Sequence, residues 1–321
     1  MPPPGGEPDG TGTGRDAAGE VLAGYLHRQA ADLLRALRLH EETAGSAETA
    51  ADAAGAVRSL GRAARRISGA LHTYRPLLDA GWADHLAAEL TWLSGVLSRE
   101  YAYGTRLDRL LAALHRLSAP SDDDPAAGRP GAGAARAGAL LERQLTLSRT
   151  RAHSAALQAL GSARFHAVAD AVAVLASEVP LDSGLADRPA LPVLRPCAEH
   201  AHRRLVDAVD ALPMGPGALA HTLTGAEDRY DGAWHRVRCL LRLVRYAQEV
   251  LGEESTPLGV AGRHLQRHRT AAAAADAAAS AGRTPRIAPA TAYALGVLHA
   301  DQRHEVEAAR LAFHRIWHPA P

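Results

Sequence analysis

Apolar residues recur along this chain at three- and four-residue spacings, the period of an α-helix with one buried face. Leu22, Leu26, Leu33 and Leu37 mark the first such stripe, and Leu86, Leu90, Leu93 and Leu97 mark another. Aromatic and β-branched residues are too sparse for a substantial sheet, and with no asparagine there is no Asn-Gly hairpin signal. The pattern predicts helices over about Gly55–Leu78, with Pro76 near its end, and from Gly81 to Leu117, kinked near Gly104. Further helices are expected over Ala139–Leu160, Arg164–Ser177, Val193–Leu212, a stretch ending near Gly252, Leu258–Ala281 and Pro289–Trp317. The run Ala271–Ala275 favours helix by propensity but offers little apolar mass, so weak packing is expected there.

Breaks between these stripes divide the chain. Residues 1–16 are rich in Pro, Gly and Thr and read as a disordered tail. Residues 118–138, with prolines, glycines and three consecutive aspartates, read as a mobile loop. The stretch 179–192 holds Pro180, Pro189 and Pro192 and is the candidate boundary between halves, and Pro213–Gly217 is a further break. The expected organisation is all-α: a tail over 1–16, a first helical bundle over 17–180 and a second over 181–321.

Charge changes this picture locally rather than globally. The 321 residues carry a formal net charge of only +1, so nucleic-acid binding by the whole surface is not expected. Every basic residue is arginine, and two arginine-rich segments, Val57–Ala70 and Trp234–Ala247, contain no acid. In the second, His235, Arg238, Arg242 and Arg245 share one helix face, with Val237, Leu240, Leu241 and Val244 opposite. In the first, the aligned positions are Arg58, Gly61, Arg65 and Ser68, with His72 one step beyond and Arg62, Arg66 and Arg75 flanking. Arginine's planar fork matches phosphate oxygens, and histidine adds donors whose charge follows pH. Two such stripes point to a site for a polyanion, and Arg263, Arg267 and Arg269 with His264 and His268 form another acid-free cluster.

Other chemistries find little support. Cys197 and Cys239 define neither a disulfide framework nor a cysteine metal site. His264 and His268 have chelating spacing, but no zinc-protease signature or nearby acid accompanies them, so no metal or other cofactor is expected. There is no Walker-type loop or nucleophile elbow. Glu41-Glu42, Asp122–Asp124 and Glu253-Glu254 lie in breaks or at helix ends and read as solubilising charge. Trp82, Trp92, Trp234 and Trp317 fit core anchors better than base-stacking platforms, so specific nucleic-acid binding is not expected. The N-terminus has no signal-peptide pattern and no apolar run reaches transmembrane length, which predicts a cytoplasmic protein that does not enter a membrane.

The ordered set of motifs resembles the CHAD family, the conserved-histidine α-helical domain. The segment Trp234–Arg238 through Arg245-Tyr246 is similar to that family's His-x-x-Arg repeat, and Arg65-Arg66 with Tyr74–Leu78 is similar to its first copy. Here Arg58 stands in place of histidine, and Gly61 and Ser68 in place of arginine. Glu89–Leu97, Ser162–Phe165, the surroundings of His268, Tyr293–Leu298 and Phe313–Trp317 extend the resemblance, while Tyr101-Ala102 replaces its Arg-Asp pair. The resemblance implies two pseudo-symmetric antiparallel bundles around a basic central cavity. It further implies non-enzymatic binding of inorganic polyphosphate, with association to polyphosphate granules in some members. On that reading Arg58, Arg62, Arg65, Arg66, His72, Arg75, His235, Arg238, Arg242, Arg245, Arg267 and His268 are the candidate binding residues. Two alternatives stay open: a degenerate scaffold for an acidic protein or nucleotide, and a helical phosphohydrolase.

Overall fold

The computed structural model describes residues 16–43, 49–118, 131–212 and 227–318. Among them the fold is all-α. Helices α1 (Ala18–Thr43) and α2 (Ala50–Thr73) are followed by a single 3-10 turn at Arg75–Leu77 and by α3 (Ala80–Ser118). Then come α4 (Gly131–Leu160), α5 (Ala163–Leu175), the short α6 (Ser183–Ala186), α7 (Ala190–Asp210), α8 (Glu227–Val250), α9 (Thr256–Gly282) and α10 (Pro289–Trp317). None of these helices is long and apolar enough to cross a membrane.

Several boundaries differ from the expected ones for identifiable reasons. The α2 helix stops before Pro76, whose ring cannot continue it, and Arg75–Leu77 tightens into the 3-10 turn. Helix α3 runs through Gly104 without a break. Of the loop expected over 118–138, residues 119–130 lie outside the described residues, and so do the 1–15 tail and the 213–217 break. Residues 131–138 are helical instead, and Ala134 and Ala137 are buried. Pro289 occupies the first turn of α10, where its missing N–H costs nothing, and this helix keeps its expected bounds.

The chain forms two compact units, each built from three separate stretches. The first comprises residues 1–94, 163–207 and 242–255, and the second 95–162, 208–241 and 256–321. Both units therefore draw on residues from either side of position 180. In the first unit α1 packs on α2, and Leu22, Leu26, Leu33, Leu60, Ile67, Leu71 and Tyr74 are all but fully buried. The proline-rich stretch 179–192 is tied down within this unit. Asp79 donates its backbone N–H to the Pro180 carbonyl at 3.0 Å, Asp182 donates to Leu77 at 2.9 Å, and Ala18 donates to Arg188 at 2.8 Å.

In the second unit α9 and α10 pack together along their lengths, and both contact α4. Its core joins Leu110, Leu114, Leu141, Leu145, Leu295 and Leu298 to Ala134, Ala137, Ala274, Ala278, Ala281 and Ala294. Of the alanine run, Ala271, Ala272, Ala274 and Ala275 are buried. Small side chains allow close helix approach, so many short contacts replace a few large ones. Of the four tryptophans only Trp234 is a fully buried anchor, at 2 % exposure; Trp82, Trp92 and Trp317 are half-exposed.

Candidate anion site

Helix α8 presents the second arginine stripe as the periodicity predicts, with Val237, Leu240, Leu241 and Val244 buried on the other side. Along the stripe His235 is exposed, Arg238 is buried to 7 % exposure, and Arg242 and Arg245 are half-buried. His235 and Arg238 belong to the second unit, Arg242 and Arg245 to the first.

In the first unit, α2 carries Arg62 and Arg65 into the neighbourhood of Arg242 on α8. Tyr246 on α8 neighbours Arg65 and favours its charge. Burial drives the Arg65 pKa down, and the charges of Arg242 and Arg62 push the same way against the help of Tyr246. Tyr246 can sit there because position 69 is glycine. A Cβ at Gly69 would lie 2.6 Å from Cδ2 of the Tyr246 ring and 3.4 Å from Leu243.

The other first-unit candidates are engaged differently. Arg66 makes a two-pronged ion pair with Glu249, Nε to Oε2 at 2.7 Å and Nη2 to Oε1 at 3.2 Å. Burial opposes the Arg66 cation, but Glu249 outweighs it and raises the pKa. Tyr25 donates to the same carboxylate at 3.1 Å, and the Arg66 guanidinium lies 5.6 Å from the Tyr246 ring centroid. Arg75 is paired with Asp84 through two contacts of 2.8 Å. His72 accepts at Nε2 from Arg204 at 3.3 Å, and its pKa is lowered by partial loss of solvent around the ring and then by that guanidinium. Arg58 is exposed, Gly61 is buried, and Ser68 turns to α3, donating to the Ala87 carbonyl at 3.1 Å. Arg62 and Arg66 also line a groove of about 600 Å³ with Gln29, Asp32, Arg35 and Ser59.

In the second unit His235, Arg238 and His268 line a recess with Asp231 at the start of α8, whereas Arg267 does not. The Asp231 carboxylate accepts from Arg310 at 2.7 Å and Arg303 at 3.2 Å and lies 3.4 Å from His268 Nε2. Burial works against the Asp231 charge, yet His268, Arg303 and Arg310 together hold its pKa below the usual carboxylate value. His268, 4 % exposed, stacks on Trp234 with centroids 5.2 Å apart, and burial drives its pKa down. Arg238 donates to Gln266 Oε1 at 3.3 Å, and Arg267 lies 3.5 Å from Glu305.

Segment-by-segment reading missed these carboxylates. Asp231, His235, Arg238, Arg242, Arg245 and Glu249 follow one another at three- and four-residue steps on a single helix. The acid-free stripe is thus bracketed by an acid at each end, and extending the helical wheel by one turn in each direction finds both. Tyr246, adjacent to the stripe, was read only as a motif terminus.

The family model for the CHAD domain matches residues 28–268. The chain belongs to the CHAD family. A solved structure, PptA from Streptomyces chartreusis, is 55% identical, with a TM-score of 0.81, over 94% of this chain and 99% of that one. A comparison with curated proteins finds no match. Two motifs that tied the sequence to CHAD at separate places meet in the first unit. Arg164 donates to Glu89 at 2.6 Å and 3.0 Å, and its guanidinium lies 4.0 Å from the Trp92 ring centroid. The CHAD segment around Trp234 meets Phe313 edge-on at 5.6 Å in the second unit.

Proposed function

We propose that the protein binds inorganic polyphosphate without turning it over, acts in the cytoplasm, and holds the chain chiefly through Arg62, Arg65 and Arg242 of the first unit. One observation carries this reading. Arg65 is a half-buried guanidinium whose charge is disfavoured first by burial and then by its neighbours Arg242 and Arg62. An arrangement that costs the empty protein stability is relieved by an anion, because ligands that bind only the folded state stabilise it by mass action. Membership of the CHAD family and the likeness to PptA support the same ligand class. Arg66 contributes less, since a polyanion would have to displace Glu249 from it. The carboxylates beside these arginines, Glu249 and Asp84, are held in two-pronged ion pairs, which leaves them poorly placed to serve as a general base.

Competition tests the reading. Labelled long-chain polyphosphate is displaced from the full chain by unlabelled polyphosphate, heparin or DNA at matched charge. Preference for polyphosphate is expected, with no release of orthophosphate on prolonged incubation. Equal displacement by all three would favour the scaffold alternative, and sustained phosphate release would establish a hydrolase.

A further inference from the structure

In the first unit the carboxylate of Glu249 stands where a ligand oxyanion would stand. It is half-buried, with 27 % of its side chain exposed, and it meets the guanidinium of Arg66 with both oxygens. Tyr25, 3 % exposed, donates its phenol hydrogen to Oε2 at 3.1 Å and so fixes the carboxylate from α1. The ring of Tyr246 lies 5.6 Å from the same guanidinium. Residues of α1, α2 and α8 thus converge on one ion pair. Both of its members line the groove of about 600 Å³ that also holds Arg62.

The pair is hard to open from outside. An anion that replaced Glu249 on Arg66 would exchange one oxyanion for another and gain no net ion pair. The displaced carboxylate would stay tethered beside the newcomer, with like charge and without its two partners. A group on the same chain also competes at an effective concentration of roughly millimolar or more. Arg62, one turn away on α2, has no such cover and is exposed in the groove. Asp32 does not play the part of Glu249 there, since it is paired with Arg35 on its own helix.

We infer that Glu249, clamped by Tyr25, is an autoinhibitory carboxylate that withholds Arg66 from the anion site and so limits how many phosphates a bound chain can neutralise. Neither Glu249 nor Tyr25 contacts the ligand in this scheme; they set its affinity by holding one cation in reserve. The choice of polyphosphate as ligand rests on the reading above, whereas the latch itself would show with any oxyanion.

Salt titrations of labelled long-chain polyphosphate into the full chain test the latch on native protein, Glu249→Gln and Glu253→Gln. Glutamine keeps an acceptor oxygen for Arg66 but not the charge. Glu253 pairs with Arg195 at 2.8 Å and does not line the groove, so Glu253→Gln controls for the added net charge. Glu249→Gln is expected to bind roughly tenfold or more tighter. Its slope of log K against log salt should steepen by about 0.7 for the one recruited cation. Glu253→Gln should keep the native slope, and Arg66→Gln/Glu249→Gln should return to it. Tyr25→Phe leaves the ion pair but removes its clamp, so affinity should rise by a smaller factor; this variant decides the matter if Glu249→Gln does not fold. An unchanged or shallower slope in Glu249→Gln, an equal gain in Glu253→Gln, or, where Tyr25→Phe decides, no gain in that variant, would overturn the inference. Thermal melts with sulfate give a readout independent of polyphosphate: sulfate should raise the melting temperature of Glu249→Gln more than that of the native chain. That result with no long-chain binding by either protein would refute the polyphosphate reading and spare the latch.

Discussion

Replacing Arg65 with glutamine separates the cost of an unpaired cation from its value to a ligand. In the empty protein Arg65 faces Arg242 and Arg62, and each like-charge neighbour at a half-exposed site costs a few tenths to about 1 kcal/mol. The polar Tyr246 phenol favours the cation and contributes about 1 kcal/mol in the other direction. The two effects nearly cancel, so Arg65→Gln leaves the melting temperature of the ligand-free protein unchanged or slightly higher. With polyphosphate the outcome diverges. Losing one charge-assisted contact of about 2 kcal/mol weakens binding roughly 30-fold. At a ligand concentration about 100 times the native Kd, the native protein gains about 2.7 kcal/mol and the variant about 0.9 kcal/mol. At about 2 °C per kcal/mol for a chain this large, the ligand raises the native melting point by about 5 °C and that of the variant by about 2 °C. Paired thermal melts with and without polyphosphate read both numbers. A variant that loses several degrees without ligand, yet keeps the full ligand shift, would show Arg65 to be a structural residue and refute the reasoning.

Three further outcomes follow from the packing. Gly69→Ala forces the Tyr246 ring aside, since the added methyl would lie 2.6 Å from it; about 1–3 kcal/mol is lost, and an unchanged denaturation midpoint would contradict the close approach. Gly296→Ala in α10 meets nothing within 4 Å and should gain about 0.5–1 kcal/mol from helix propensity, whereas Gly133→Ala runs into the Ala290 carbonyl and destabilises. His268, packed on Trp234 beside Asp231, Arg303 and Arg310, has a lowered pKa in the folded state, so the unfolded chain takes up its proton first. Its contribution is therefore fully present above the unfolded value of about 6.5 and is lost as pH falls below it. His268→Gln should flatten the stability profile between pH 7 and 5, and an unaltered slope would count against this titration.

The all-α class and most helix positions were legible because apolar periodicity and proline placement act locally; α10 begins at Pro289 as the sequence predicts. The start of α4 was hidden because Gly133, Ala134 and Ala137 read like a break when no partner is in view. Their small size is what lets Ala134 and Ala137 join the core and Gly133 lie against Ala290. At the site, the face of α8 was legible from its spacing, but the fate of each charge was not. Arg66 differs from Arg65 by one position, and only the fold reveals that Glu249 holds one while the other faces Arg242. Trp92 likewise is covered by Arg164 rather than by the core, a contact made across 72 positions of chain.

The central claim is that first-unit arginines neutralise polyphosphate, and its most direct test is the salt dependence of binding. Labelled long-chain polyphosphate is titrated into the native chain and into Arg65→Ala/Arg242→Ala at several salt concentrations. Each neutralised phosphate contributes about −0.7 to the slope of log K against log salt. The account predicts tight, salt-steep binding by the native chain, and in the variant weaker binding with a slope shallower by about 1.4 for the two lost cations. Equal affinity and equal slope for both proteins would contradict it.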